Sequence, residues 1–181
     1  MAHNDSIRSI IEYNRVLNLI YNKSVEPNNT PKGTSPPVTK NQYAILKILK
    51  IKGSLLVSNI ADLMQFSCSA ASKNVDTLVN LKLVSRKIIS RDRRKSSISI
   101  LNKGEIIVRE VEGYTDKKRR NTLDSFNKKE LSQLSILLGK YLNQCLLDEK
   151  DFELICLKCS GIINNECVLF NYNVKCRFNV G

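Results

Sequence analysis

Apolar residues recur at helical spacing between positions 5 and 23. Ile7, Ile10, Ile11, Leu17 and Ile20 form a stripe that Val16 and Leu19 widen. The stretch SVEPNNTPKGTSPPVT follows and holds all four prolines, so it reads as a loop. Thr39 is placed to cap a second helix, NQYAILKILKIKG, with Tyr43, Leu46 and Leu49 inward and Gly53 as its stop. SLLV reads as a short strand. Ser58 then opens SNIADLMQF, with Ile60, Ala61 and Leu63 or Met64 buried, and Ser67 caps CSAASKNVDTLVNLK, whose stripe is Ala71, Val75, Leu78 and Val79 or Leu81. Two short helices joined by the tight turn MQFS form a helix-turn-helix pattern.

The period then changes from helix to strand. LVSRKIIS and ISIL are β-rich and flank the basic segment RDRRKSS, which predicts a hairpin with a charged tip. A long helix follows over 102–126, with Ile106, Ile107, Val111 and Tyr114 periodic. Asn127 or Lys128 begins a last helix to about 150, with Leu131, Leu134, Leu138, Leu142 and Leu146 on one side. The predicted organisation is an N-terminal helix over 1–24, a Pro/Asn-rich loop over 25–40, a winged helix-turn-helix over 41–101, C-terminal helices over 102–150 and a cysteine-rich tail over 151–181. The fold class is mainly α with a small β-hairpin wing. The terminal helices carry apolar stripes with too little body of their own to cover them, which predicts burial in a partner subunit.

Charge sharpens this picture. Lys and Arg number 29 against 17 acids, a net of +12. Residues 151–181 are balanced, with Asp151, Glu153 and Glu166 against Lys158, Lys175 and Arg177, so the whole excess lies in 1–150. A basic main body suits a polyanionic partner such as nucleic acid. The opening MAHNDSIRSI lacks the apolar core of a secretory signal, and no apolar run reaches the ~20 residues of a membrane span, so a cytoplasmic protein without membrane contact is expected. Catalysis has little to draw on. His3 is the sole histidine and no two glycines lie within three residues of each other, which excludes the phosphate-cradling glycine motifs.

From Asn41 to Leu147 the chain resembles the MarR family of bacterial transcriptional regulators. SAASKNVDTLVNLKLVSR is similar to the family's recognition helix running into its first wing strand, with Ser72, Lys73, Val75, Asp76, Leu78, Leu83, Val84 and Arg86 at matching positions. RDRRKSSISILNKGE matches the wing signature through Asp92, Arg94, Ile98, Ile100 and Gly104. Two positions depart from the pattern. Lys82 stands where the family usually has Gly, and Asn102 replaces a common Thr as helix cap. The resemblance implies an intertwined homodimer, with the first helix and the last two as dimerisation region. It also implies operator binding through paired recognition helices and wings.

The residues suit that role. Ser69, Ser72, Lys73 and Asn74 are small or polar groups near the start of the recognition helix, and Asn74 has the amide for bidentate pairing with adenine. Arg91, Asp92, Arg93, Arg94 and Lys95 form the wing tip, where arginine enters a narrow, AT-rich minor groove. The expected partner is double-stranded DNA bearing an AT-rich palindrome.

The tail adds separate chemistry. Cys156, Cys159, Cys167 and Cys176 follow the pattern C-x2-C-x7-C-x8-C. Four thiolates hold an iron–sulfur cluster or close a tetrahedral zinc site. A single CxxC pair followed by two isolated cysteines favours a [4Fe–4S] cluster, with zinc as the alternative and unliganded thiols as a third. The functional expectation is a transcriptional regulator, in the sense of a repressor, whose cysteine module senses redox state, oxygen or iron. A small iron–sulfur electron carrier docking acidic partners is the alternative of another class, and it has no use for a recognition helix or a wing.

Overall fold

The computed structural model describes residues 2–24, 38–88 and 96–145. In chain order the elements are α1 (Ala2–Ser24), α2 (Lys40–Lys52), β1 (Leu55–Leu56), α3 (Val57–Met64), α4 (Cys68–Asn80), β2 (Val84–Ile88), β3 (Ser96–Ile100), α5 (Asn102–Leu123) and α6 (Lys128–Cys145). The strands form one antiparallel sheet in the order β1-β3-β2. This is the expected mainly helical winged helix-turn-helix. The predicted loop over 25–37, the wing tip at 89–95 and everything from 146 onward lie outside the described residues.

Local chemistry sets most element ends. Thr39 and Gln42 close a capping box on α2: the Gln42 amide donates to Thr39 Oγ1 at 3.3 Å and the Thr39 amide to Gln42 Oε1 at 2.9 Å. Gly53 ends α2 at φ 76°, a conformation that L side chains resist. Asn127 caps α6 by accepting from the Lys129 and Glu130 amides. Two expected caps are displaced. The residue before α3 is Leu56, not Ser58, and the residue before α5 is Leu101, not Asn102, and neither makes a side-chain cap. In both places the helix leaves directly from a strand, so the strand's extended backbone takes the cap position.

The core gathers on α2. Ile45, Leu46 and Leu49 are fully buried against Ile60, Val75, Leu78, Leu83, Ile98 and Val108. Because α2 packs on α4, α5 and β3, it is covered well beyond the stripe its sequence shows. Ile48 and even Lys47 are inside. Lys47 Nζ lies 3.6 Å from Glu112 Oε1 of α5, and Lys50 Nζ lies 4.0 Å from Glu112 Oε2. Burial pushes the Glu112 carboxyl above its ordinary range, against the downward pull of the two lysines. The nearby Tyr43 hydroxyl is pushed up by burial and, secondarily, by the Glu112 charge.

The face of α5 turned to this core differs in part from the predicted one. Ile107, Val108 and Val111 are buried, while Ile106 stays exposed. The terminal helices remain uncovered. Ile7, Ile11, Leu17 and Leu19 of α1 and Ile136, Leu137, Leu138 and Leu142 of α6 are all exposed in the single chain. Asn14 of α1 donates to the Tyr141 hydroxyl of α6 at 2.8 Å, which links the two helices.

Candidate nucleic-acid interface

The interface is built on α4, and two similar turns aim it. After α3 the chain passes through Gln65 at φ 56°. The Phe66 amide then bonds Ala61 O at 2.9 Å and the Gln65 amide bonds Asp62 O at 3.1 Å. After α4 it passes through Lys82 at φ 57°, with Leu83 N to Leu78 O at 3.0 Å and Lys82 N to Val79 O at 2.9 Å. Both are Schellman turns, and the residues that close them, Phe66 and Leu83, pack with the hydrophobic core. The departure seen in the sequence at Lys82 is therefore a left-handed lysine, at a cost of about 1 kcal/mol relative to glycine.

Ser67 caps α4 by accepting from the Ala70 amide at 3.2 Å, and its hydroxyl lies 3.0 Å from that of Ser69. Ala71, Val75 and Leu78 point into the core. The opposite ridge is Ser69, Lys73, Asp76 and Asn80, all exposed and spaced four, three and four residues apart. Ser72 and Thr77 flank it, half-buried.

Of the four expected readers, Ser69 and Lys73 lie on the ridge and Ser72 beside it. Asn74 does not. It is turned toward the core side of the helix, half-buried, and its amide donates to Ala70 O at 2.9 Å. That bond uses one of the two amide N–H donors and holds the side chain against the helix backbone. Asp76, one of the positions that match the family pattern, stands on the outer ridge. The 4-3-4 spacing opposite Ala71, Val75 and Leu78 is the sequence signal that finds Asp76 and Asn80.

Arg86 of β2 reaches this ridge. Its Nη1 lies 2.6 Å from Asp76 Oδ1, with the arginine side chain 23% exposed and the aspartate 52%. β2 and β3 pair in register from Val84 opposite Ile100 to Ile88 opposite Ser96, and β2 packs beside α4. Arg91, Asp92, Arg93, Arg94 and Lys95 lie outside the described residues, between its two strands. Cys156, Cys159, Cys167 and Cys176 lie outside them too. Cys68 and Cys145 are free and exposed, and the described residues hold no cluster of three or more His, Cys, Asp or Glu suited to a metal. No described helix is long and apolar enough to cross a membrane.

A three-stranded sheet holding a hairpin beside a helix with a polar, exposed ridge defines a winged helix-turn-helix protein. The MarR family model matches residues 38–96. The transcriptional repressor MdtR of Bacillus subtilis is 31% identical over 113 residues, covering 62% of this chain and 73% of that protein. The solved structure of YusO from Bacillus subtilis is 27% identical with a TM-score of 0.63, covering 76% of this chain and 96% of that one. A MarR family protein from Bacillus stearothermophilus is 26% identical with a TM-score of 0.58, covering 77% and 97%. The chain belongs to the MarR family of transcriptional regulators.

Proposed function

We propose that the chain is a repressor that binds a palindromic, AT-rich operator as a homodimer. The ridge of α4 carries this reading: Ser69 and Lys73 are exposed on a helix whose other face is locked into the core. Such a helix offers short polar groups and one cation to a major groove. Arg94, with Arg93 and Arg91, supplies the wing contact in the minor groove, braced by Asp92. The uncovered stripes of α1 and α6 are the seam with a second copy, which sets two α4 helices about 34 Å apart.

The test uses a duplex selected by the intact chain from a randomised pool. Binding is expected to favour that duplex over a scrambled one. Lys73→Ala and Arg94→Ala are each expected to weaken it and to lower the salt slope by about 0.9 per lost phosphate contact. Light scattering of the same sample is expected to give a dimer. A chain that shows no preference for any selected duplex overturns the reading.

The tail extends the proposal. Cys156, Cys159, Cys167 and Cys176 supply four thiolates, a donor set that fits a [4Fe–4S] cluster and equally a zinc ion. The spacing, with one CxxC pair and two separated ligands, favours the cluster. Such a group would make operator binding respond to redox state, oxygen or iron. Replacing any of the four by Ser is expected to remove most iron and sulfide from anaerobically purified protein, whereas Cys68→Ser and Cys145→Ser leave them in place. Stoichiometric zinc without sulfide would replace the cluster by a zinc site. Equal operator affinity with and without the bound group would reduce it to a structural staple.

A further inference from the structure

Arg86 occupies a position that packing alone does not explain. It sits on β2 in the row of Val84 and Ile88, on the sheet face turned toward the helices, and its partner across the ladder is the fully buried Ile98. Among the residues of β2 only Val84 is buried; Ile88 is exposed. Of its own side chains, then, β2 sends only Val84 fully into the core; beyond it the strand is held through its ladder to β3. Arg86 lies about 7 Å further toward the tip, two residues on. Its Nε is buried and has no hydrogen-bond partner among the described residues, so Asp76 is the contact that directs the guanidinium.

Asp76 raises a matching question. A carboxylate on the exposed ridge, one turn after Lys73, would repel the phosphates that the ridge approaches. Arg86 cancels that charge.

We propose that Asp76 and Arg86 are positioning residues for DNA recognition: their ion pair locks the first wing strand to the recognition helix, and so fixes the wing tip relative to the groove-reading ridge. The proposal rests on the DNA-binding reading above. Beyond Val84, β2 meets the body of the domain through its ladder to β3, and the ion pair adds a direct tie from mid-strand to α4. Specific binding needs ridge and wing to reach their grooves at once. Non-specific binding needs only positive charge near phosphate. The pair therefore acts on discrimination between sequences more than on attraction to DNA.

That difference gives the test. The intact chain is titrated with the duplex it selects from a randomised pool and with a scrambled duplex of equal length. Asp76→Asn is expected to weaken binding to the selected duplex about tenfold, the scale of one lost base contact, while binding to the scrambled duplex holds or strengthens because a negative charge has left the ridge. Arg86→Met is expected to weaken selected binding similarly with an unchanged salt slope, and Arg86→Lys to recover part of the loss. Three results overturn the proposal. One is an unchanged ratio of selected to scrambled affinity in Asp76→Asn and Arg86→Met. Another is a parallel loss on both duplexes that follows a fall in melting temperature. The last is a salt slope lowered by about 0.9 in Arg86→Met, which would make Arg86 a phosphate contact. If the parent chain itself prefers no duplex, the DNA-binding reading fails instead.

Discussion

Glu112→Leu is expected to destabilise the fold by about 3–5 kcal/mol, among the largest effects of any single change in this chain. The carboxylate is 5% exposed and lies between Lys47 and Lys50 at the contact of α2 with α5. Removing it takes away the carboxylate 3.6 Å from Lys47, a cation that is also only 5% exposed. Lys50 is less confined and can turn to water. Lys47→Met is expected to cost less than Glu112→Leu, because Glu112 keeps Lys50 and, with its carboxyl already pushed up by burial, can take a proton. The double variant Lys47→Met/Glu112→Leu is expected to recover most of the loss, since an apolar pair of similar volume needs no compensation. Urea unfolding at fixed protein concentration measures all three. The pH dependence follows with its sign. A raised carboxyl binds its proton more tightly in the folded state, so stability falls as pH rises from the ordinary glutamate range through the raised value, and levels off above it. The double variant should lose that slope. Equal stabilities of Glu112→Leu and the double variant would show that Lys47 does not need its partner.

Gly104→Ala is expected to destabilise by about 3 kcal/mol, at the upper end of ordinary overpacking. A Cβ at this position would lie 2.5 Å from Leu83 O, 2.9 Å from Ile100 Cγ1 and 3.2 Å from Leu46 Cδ2. The nearest obstacle is backbone, and that carbonyl already accepts the Leu101 amide at 2.9 Å. Leu83 also closes the turn after α4, so any retreat by α5 disturbs the helix that carries the candidate interface. Gly113 in the same helix is an internal control. Nothing lies within 4 Å of a Cβ there, and Gly113→Ala is expected to stabilise by about 1 kcal/mol through helix propensity. Thermal unfolding of the two variants should move in opposite directions. If both shift alike, close packing is not what keeps residue 104 a glycine.

Thr39 and Ser67 were legible as caps because each acts on an amide three residues away. The helix-turn-helix and the hairpin were legible for the same reason, since the hydrophobic period changes where the elements change. Ser58 and Asn102 misled because those helices start from strands, whose register depends on distant partners: Leu101 N bonds Leu83 O. The inner faces of α2 and α5 showed only half their burial in the sequence. A central helix covered on several sides buries residues that its periodicity marks as outer, and Lys47 is the extreme case. Asn74 reads as a base contact by type, but its half-buried position and its bond to Ala70 O are properties of the folded helix. The Asp76–Arg86 pair joins residues ten apart on different elements, and no periodicity reports it.

The bare stripes of α1 and α6 have a consequence for the chain's lifetime. If a second copy covers them, folding and association are one equilibrium, and each tenfold dilution removes about 1.4 kcal/mol of stability per dimer. At low copy number more chains would stand alone, with Ile11, Leu19, Ile136 and Leu137 open to chaperones and proteases. Turnover would then speed up as the protein becomes scarce, which sharpens the boundary between a repressed and an unrepressed cell without any ligand.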